Sequence, residues 1–264
     1  DLNVNAGVTT TSGNLNLQAG DNLNLATGVT LNAAAALILN IDSPFGGVAD
    51  AAGGVANLNG ILQAGTDITV NGGTQADQVI IDSNGGPSND GGTVDGIQSL
   101  FTFVGGGGSD ELIVDDSGDN TGDNIIIQNT APGVGAVIGA GAVTLSYEDL
   151  EDLTVYSGSD ADDITVNPNI STAINIIGGN PTTSPGDSLT YLTPFGEGST
   201  YTPTGADSGT IAATGGFQTV TFDEIETVTL GGSVTVTGTA ADDVLTITAT
   251  SANAGTYQIV SGGV

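Results

Sequence analysis

Gly105-Gly106-Gly107-Gly108-Ser109-Asp110-Glu111-Leu112-Ile113 fills every position of a nine-residue pattern, G-G-x-G-x-D-x-U-x, in which U is apolar. Glycine lets the backbone turn through positive φ and point carbonyls inward, the aspartate supplies a hard anionic oxygen, and the apolar residue opens a short buried strand. A turn and the strand it launches are therefore written in one stretch. Three degenerate copies lie elsewhere: Gly72 to Ile80, Ser157 to Thr165 and Thr237 to Leu245. Each keeps glycine at the second position, aspartate at the sixth (Asp77, Asp162, Asp242) and an apolar residue at the eighth (Val79, Ile164, Val244).

These four stretches resemble the haemolysin-type calcium-binding repeat, or RTX repeat, of very large repetitive bacterial surface and secreted proteins. The resemblance implies a parallel β-helix in which calcium sits between consecutive turns, each turn giving part of the shell. It makes Asp77, Asp110, Asp162 and Asp242 the implied ligands, with Asp160, Asp163 and Asp243 adding carboxylates beside two of the copies. In the family the nonapeptides run in tandem; here they lie 33, 52 and 80 residues apart, so each offers half a site unless the fold stacks it on another. The alternative for each aspartate is a side-chain cap on the turn before its strand.

Composition narrows the functions open to the chain. It holds 30 acidic residues and no Lys, Arg or His, a formal charge of −30. No side chain can form an internal ion pair, and two carboxylates one strand spacing apart repel by about 1 kcal/mol in water and several times that near a protein surface. Bound cations are the expected remedy, calcium first among them. Nucleic acid and anionic membrane surfaces are excluded as partners, since both demand basic residues. With no cysteine there is no disulfide, zinc-thiolate site or thiol nucleophile. No apolar run approaches the roughly 18 residues that span a bilayer, so membrane insertion is not expected. The chain starts without Met or a signal-like segment and closes on a strand entering a turn, which reads as a slice of something longer.

Residues 1–41 alternate Asn or Thr with Leu or Val in bursts, such as Leu2-Asn3-Val4, Leu15-Asn16-Leu17 and Leu23-Asn24-Leu25, separated by Ala-Gly, Thr-Gly or Ser-Gly turns. Period two means strand, and strands this short suit the rungs of a parallel β-helix. In composition this part is similar to the passenger repeats of filamentous-haemagglutinin-like adhesins. Asn3, Asn16 and Asn24 either stack as a hydrogen-bonding ladder or are simply the outward positions of alternating strands. Residues 42–64 break the rhythm and read as a loop, or as a short helix around Val48 to Ala52.

From residue 65 the units lengthen. Leu145 to Val155 and Val220 to Leu230, 75 residues apart, match in character along eleven positions, and Ile97 to Phe103 is a looser copy. Each precedes a nonapeptide and reads as a strand, despite a helix-like Leu150/Leu153 spacing, because Thr, Val and Ile dominate. The long segments 83–96, 115–142 and 168–219 hold further Gly-Asp-x-apolar starts at Asp123 and Asp187 and read as extra rungs or out-looping hairpins. The aromatic residues, among them Phe101, Phe103, Tyr147, Tyr191 and Phe222, alternate as core residues do, with a contact patch as the other reading.

The expected fold is all-β: a parallel β-helix or β-solenoid, elongated, with short-period rungs over 1–64, larger units over 65–264 and irregular loop or hairpin excursions. Catalysis is not expected. Carboxylates alone remain for chemistry, and the paired Asp162-Asp163 and Asp242-Asp243 lack any Trp for a sugar to stack on. The expected function is an extracellular structural segment of a giant repetitive surface protein, part of a fibre, layer or stalk, stiffened by calcium and continuing or self-associating through its strand edges. The alternative is an adhesin or autotransporter-like passenger that binds a host or neighbouring-cell ligand.

Overall fold

The computed structural model describes residues 1–43, 52–85, 89–181, 186–231, 233–237, 243–251 and 254–261, with the backbone alone at 233–234 and from 243 onward. Period-two alternation puts Leu, Val and Ile on one face of each short strand, and stacking those faces removes them from water. Each such side chain contributes about 1.5–3 kcal/mol when fully buried. Three strands come from each of the first passes of the chain. β1 (Leu2–Val4), β2 (Val8–Thr9) and β3 (Leu15–Gln18) are followed by β4 (Leu23–Leu25), β5 (Thr30–Ala33) and β6 (Leu37–Asn40). Then come β7 (Val55–Leu58), β8 (Ile61–Ala64) and β9 (Asp67–Asn71). Each strand pairs parallel with its counterpart one pass later: Leu2 with Leu23 and Leu23 with Ala56 in a first sheet, Leu15 with Leu37 and Leu37 with Ile68 in a second, Val8 with Leu31 and Leu31 with Leu62 in a short third.

The third sheet then lapses to a single bridge, Leu62 to Ile97. Beyond it the chain shuttles between two sheets. β10 (Gln78–Ile81), β12 (Glu111–Asp115), β16 (Asp152–Gly158), β18 (Ala173–Gly179) and β22 (Val220–Asp223) extend the first in parallel. The second is extended by β11 (Leu100–Val104) and β15 (Leu145–Glu148), and farther on by β17 (Asp163–Val166), β19 (Ser188–Tyr191) and β23 (Thr227–Leu230). Two hairpins interrupt the parallel run. β13 (Asn124–Ala131) and β14 (Val134–Ile138) sit between β15 and β17 in the second sheet, with β14 antiparallel to both its neighbours. β20 (Gly198–Pro203) and β21 (Gly209–Ala213) do the same beside β22 in the first, and β24 (Ser233–Val236) pairs parallel with β20. β25 (Asp243–Ser251) and β26 (Ala254–Ser261) form a separate antiparallel pair. One hydrophobic core runs from Val4 to Ile225.

The all-β, parallel-stranded expectation therefore stands, and the long segments hold both extra strands and hairpins, with β13 and β19 starting directly after Asp123 and Asp187. The 75-residue repeat is structural as well. β14 and β15 recur as β21 and β22 at that offset with the same bounds, but in the other sheet. Two readings need correction. Leu145 to Val155 is two strands rather than one: Asp149, at φ 53°, turns a sharp corner so that Leu150 drops into the core, and Glu224 at φ 57° does the same for Ile225. Within 42–64, the stretches 55–58 and 61–64 are strands, because Ala56, Leu58 and Leu62 alternate inward; the helix considered around 48–52 falls largely outside the described residues.

Outward asparagines do stack, in two ladders. Asn57 donates through Nδ2 to Asn24 and Asn24 to Asn3 on the first sheet, at 2.7 and 2.9 Å; Asn71 donates to Asn40 and Asn40 to Asn16 on the second, both at 2.9 Å. The aromatic residues divide as a core and a remainder: Phe101, Phe103, Tyr147, Tyr191 and Phe222 are buried, while Phe195 is fully exposed. Two of the buried rings differ in one atom's surroundings. The Tyr147 hydroxyl donates to Asn129 Oδ1 at 2.7 Å, whereas the Tyr191 hydroxyl is buried with no hydrogen-bond partner. Tyr147→Phe is expected to cost about 1 kcal/mol in urea unfolding, and Tyr191→Phe to be neutral or slightly stabilising.

Candidate metal centre

The chain crosses from the second sheet to the first at one edge of the stack and returns at the opposite edge, and each edge carries a column of acids. At the first edge Asp77, Asp110 and Glu151 stand immediately before β10, β12 and β16. The Asp77 N–H donates to Asp110 Oδ1 at 2.7 Å and the Asp110 N–H to Glu151 Oε2 at 2.9 Å. Asp77 itself takes the Gly54 N–H on Oδ1 and the Gly73 N–H on Oδ2, both at 2.6 Å. At the other edge Asp123, Asp162, Asp187 and Glu226 stand before β13, β17, β19 and β23. The N–H of each of the first three donates to the carboxylate of the next, at 2.7–2.8 Å.

The backbone explains why an acid is placed there. At a corner the strand ladder breaks and its first N–H loses its partner, so a carboxylate from the next layer supplies a charge-assisted acceptor. The glutamates close each column because the Asp149 and Glu224 corners set the chain back by a distance that the longer side chain spans. Glu151 and Asp152 both donate their N–H to the Asp110 carbonyl, and Glu226 and Thr227 both to that of Asp187.

Of the residues singled out in the sequence, the fold thus stacks Asp77 on Asp110 and sets Asp162 on the opposite edge. Asp160 and Asp163 are exposed, and Asp163 accepts the Ser188 hydroxyl at 2.6 Å. Asp242 lies outside the described residues, and Asp243 opens β25 with only its backbone described.

The closest groupings of carboxylates involve other residues. Asp82, Asp90 and Asp115 bring oxygens within 4.8 Å of one another, as do Asp116, Asp119 and Asp123. Both lie where the chain leaves the first sheet after β10 and β12. In the first group, backbone N–H groups already occupy the oxygens of Asp82 (Asn84 and Gly85) and of Asp115 (Asn89 and Ser117). In the second, Asp116 Oδ1 accepts the Val94 N–H at 3.1 Å, while Asp116 Oδ2 and Asp123 Oδ2 are buried without a donor. Asp110, Asp162 and Asp187 each hold one such oxygen as well.

Burial with no cation nearby raises these acids. Desolvation, followed by the charges of Asp119, Asp123 and Asp95, pushes Asp116 up to about 8. Desolvation is also the leading cause for Asp187, at about 7 with Asp162, Glu226 and Glu224 adding like charge, and for Asp110, at about 6 with Asp77, Glu151 and Asp149. Asp123 rises to about 6, and Asp77, Asp82 and Asp162 are raised. Chemically, these edges can hold protons or hard cations, and among the described residues nothing else positive faces them.

One other concavity stands apart from the acids. Pro132, Pro168, Ile170, Pro194, Phe195 and Phe217 line an open hollow of about 370 Å³. No family model, curated protein or solved structure matches this chain.

Proposed function

We propose that the chain is a structural segment of a large extracellular surface protein: a β-solenoid rod, part of a fibre, layer or stalk, whose acid edges are held together by calcium. The observation that carries this reading is the register. From pass to pass the same apolar column faces in, the same asparagine columns face out, and a carboxylate column lines each edge, as suits a chain selected to stack on itself. Calcium at the nonapeptide aspartates is the form the RTX resemblance implies, and a chain without a single basic side chain leaves cations as the means of relieving its charge. Continuation into like units, or self-association through the strand edges, follows from the same stacking. The role is non-catalytic.

The test is immunogold labelling of intact source cells with antibody to this chain, expected to decorate the outer surface along fibres or a layer. Label found only after permeabilisation overturns it. The hollow beside Phe195 favours the second reading, an adhesin. Cell attachment lost on Phe195→Ser, with thermal stability unchanged, would decide for it.

A further inference from the structure

We propose that the loop leaving β12, from Asp116 to Asp123, holds one calcium ion between Asp116, Asp119 and Asp123, and that this ion fastens the β13–β14 hairpin to the stack. The inference deepens the cation-stabilised reading above and moves it from the nonapeptides to a site of different make. Calcium holds its oxygens at about 2.3–2.6 Å, so two of its ligands stand at most about 5 Å apart. The three carboxylates, within 4.8 Å of one another, meet that limit together.

The independent sign of a ligand is Asp116. It is 2 % exposed, its Oδ1 is fixed by the Val94 N–H, and its Oδ2 belongs to the group of three with no donor of its own. Asp123 Oδ2 is buried and unpartnered in the same way. A buried carboxylate oxygen with no donor costs several kcal/mol unless something positive meets it, and no Lys, Arg or His exists to do so. The Asp82 group shows the contrast: its buried members, Asp82 and Asp115, have their oxygens occupied by backbone N–H groups, so it asks for no ion.

Hard oxygen donors alone, with no His or Cys in the chain, select against zinc and copper. Three carboxylates on an open loop, with water completing the shell, suit calcium better than the small octahedral shell of magnesium. The loop also joins elements that nothing else ties so directly. Asp116 donates its N–H to the Tyr156 carbonyl of β16, the Asp119 carbonyl accepts from Ser159, and Asp123 opens β13 with its N–H on Asp162.

The test is calcium titration of the full chain by calorimetry, with hydrogen exchange read over β13 and β14. One tight site is expected, with affinity falling at least tenfold in Asp116→Asn and in Asp119→Asn, unchanged within twofold in Asp110→Asn, and with exchange over the hairpin slowed by calcium. Asp119 is partly exposed, so its variant keeps the test valid if Asp116→Asn folds poorly. Binding that both variants leave intact overturns this site while the wider calcium reading survives. No calcium binding by the parent chain overturns both. Equal affinity for magnesium overturns the choice of ion.

Discussion

In metal-free buffer the thermal midpoint is expected to fall by about 10 °C as pH rises from 5 to 8, the reverse of a protein held by salt bridges. The cause is the pair of edge columns. In the unfolded chain Asp110 and Asp187 bind protons with the ordinary value of 3.8, whereas folding lifts them to about 6 and about 7. Between those limits the folded state holds more protons than the unfolded one, so stability falls as pH rises. The protonation contribution is complete below about 4 and is lost on passing 6 and then 7. Asp77, Glu151 and Asp149 face Asp110, and Asp162, Glu226 and Glu224 face Asp187; all are acids, so each adds to the rise. The two groups together are worth on the order of 4 kcal/mol after allowance for residual hydration. Asp187→Asn, which keeps an acceptor for the Asp162 N–H, is expected to match the parent at pH 5 and melt above it at pH 8. A midpoint that is flat or climbs over this range removes buried protons from the account.

Gly105→Ala and Gly178→Ala are each expected to cost about 3 kcal/mol in urea unfolding. Neither glycine has a positive φ, so the objection to a side chain is space alone. A Cβ on Gly105 would stand 2.2 Å from the Asp149 carbonyl oxygen and 2.5 Å from Asp110 Oδ2. On Gly178 it would stand 2.0 Å from the Glu224 carbonyl oxygen and 2.7 Å from Asp187 Oδ2. Both contacts are with the sharp corner of one layer and the carboxylate of another, neither of which can retreat without opening the column. Gly231→Ala, where the nearest atom is 4.0 Å away, should stay within about 0.5 kcal/mol. Equal losses at all three positions would mean that glycine acts through chain entropy rather than through this crossing.

How much of this could be read beforehand differs from element to element. Strands were legible wherever apolar residues alternate, because period two survives in a chain of short passes. The aspartates that start strands, including Asp123 and Asp187, were legible for the same reason. Their stacking was not. One pass takes 21 residues from Leu2 to Leu23, 33 from Gln78 to Glu111 and 41 from Glu111 to Asp152, so distance along the chain does not report distance across layers. Asp162 therefore looked like the successor of Asp110 although it belongs to the other edge, and Asn16 looked like a member of the ladder that holds Asn3 and Asn24. The Asp116 group escaped notice because it sits in a variable segment between repeats. Its signal was present in Asp115-Asp116-Ser117-Gly118-Asp119-Asn120-Thr121-Gly122-Asp123, acids spaced three and four apart with glycines between them.

The exchange of sheets between the two 75-residue copies is a matter of parity. From β11 to its counterpart β18 the chain makes an odd number of crossings, with the β13–β15 excursion occupying a single visit. Removing one copy would turn everything downstream over, bringing acids that now line one edge to the other and breaking both columns. Removing two would restore them. Lengthening or shortening by recombination is thus free of penalty only in even steps.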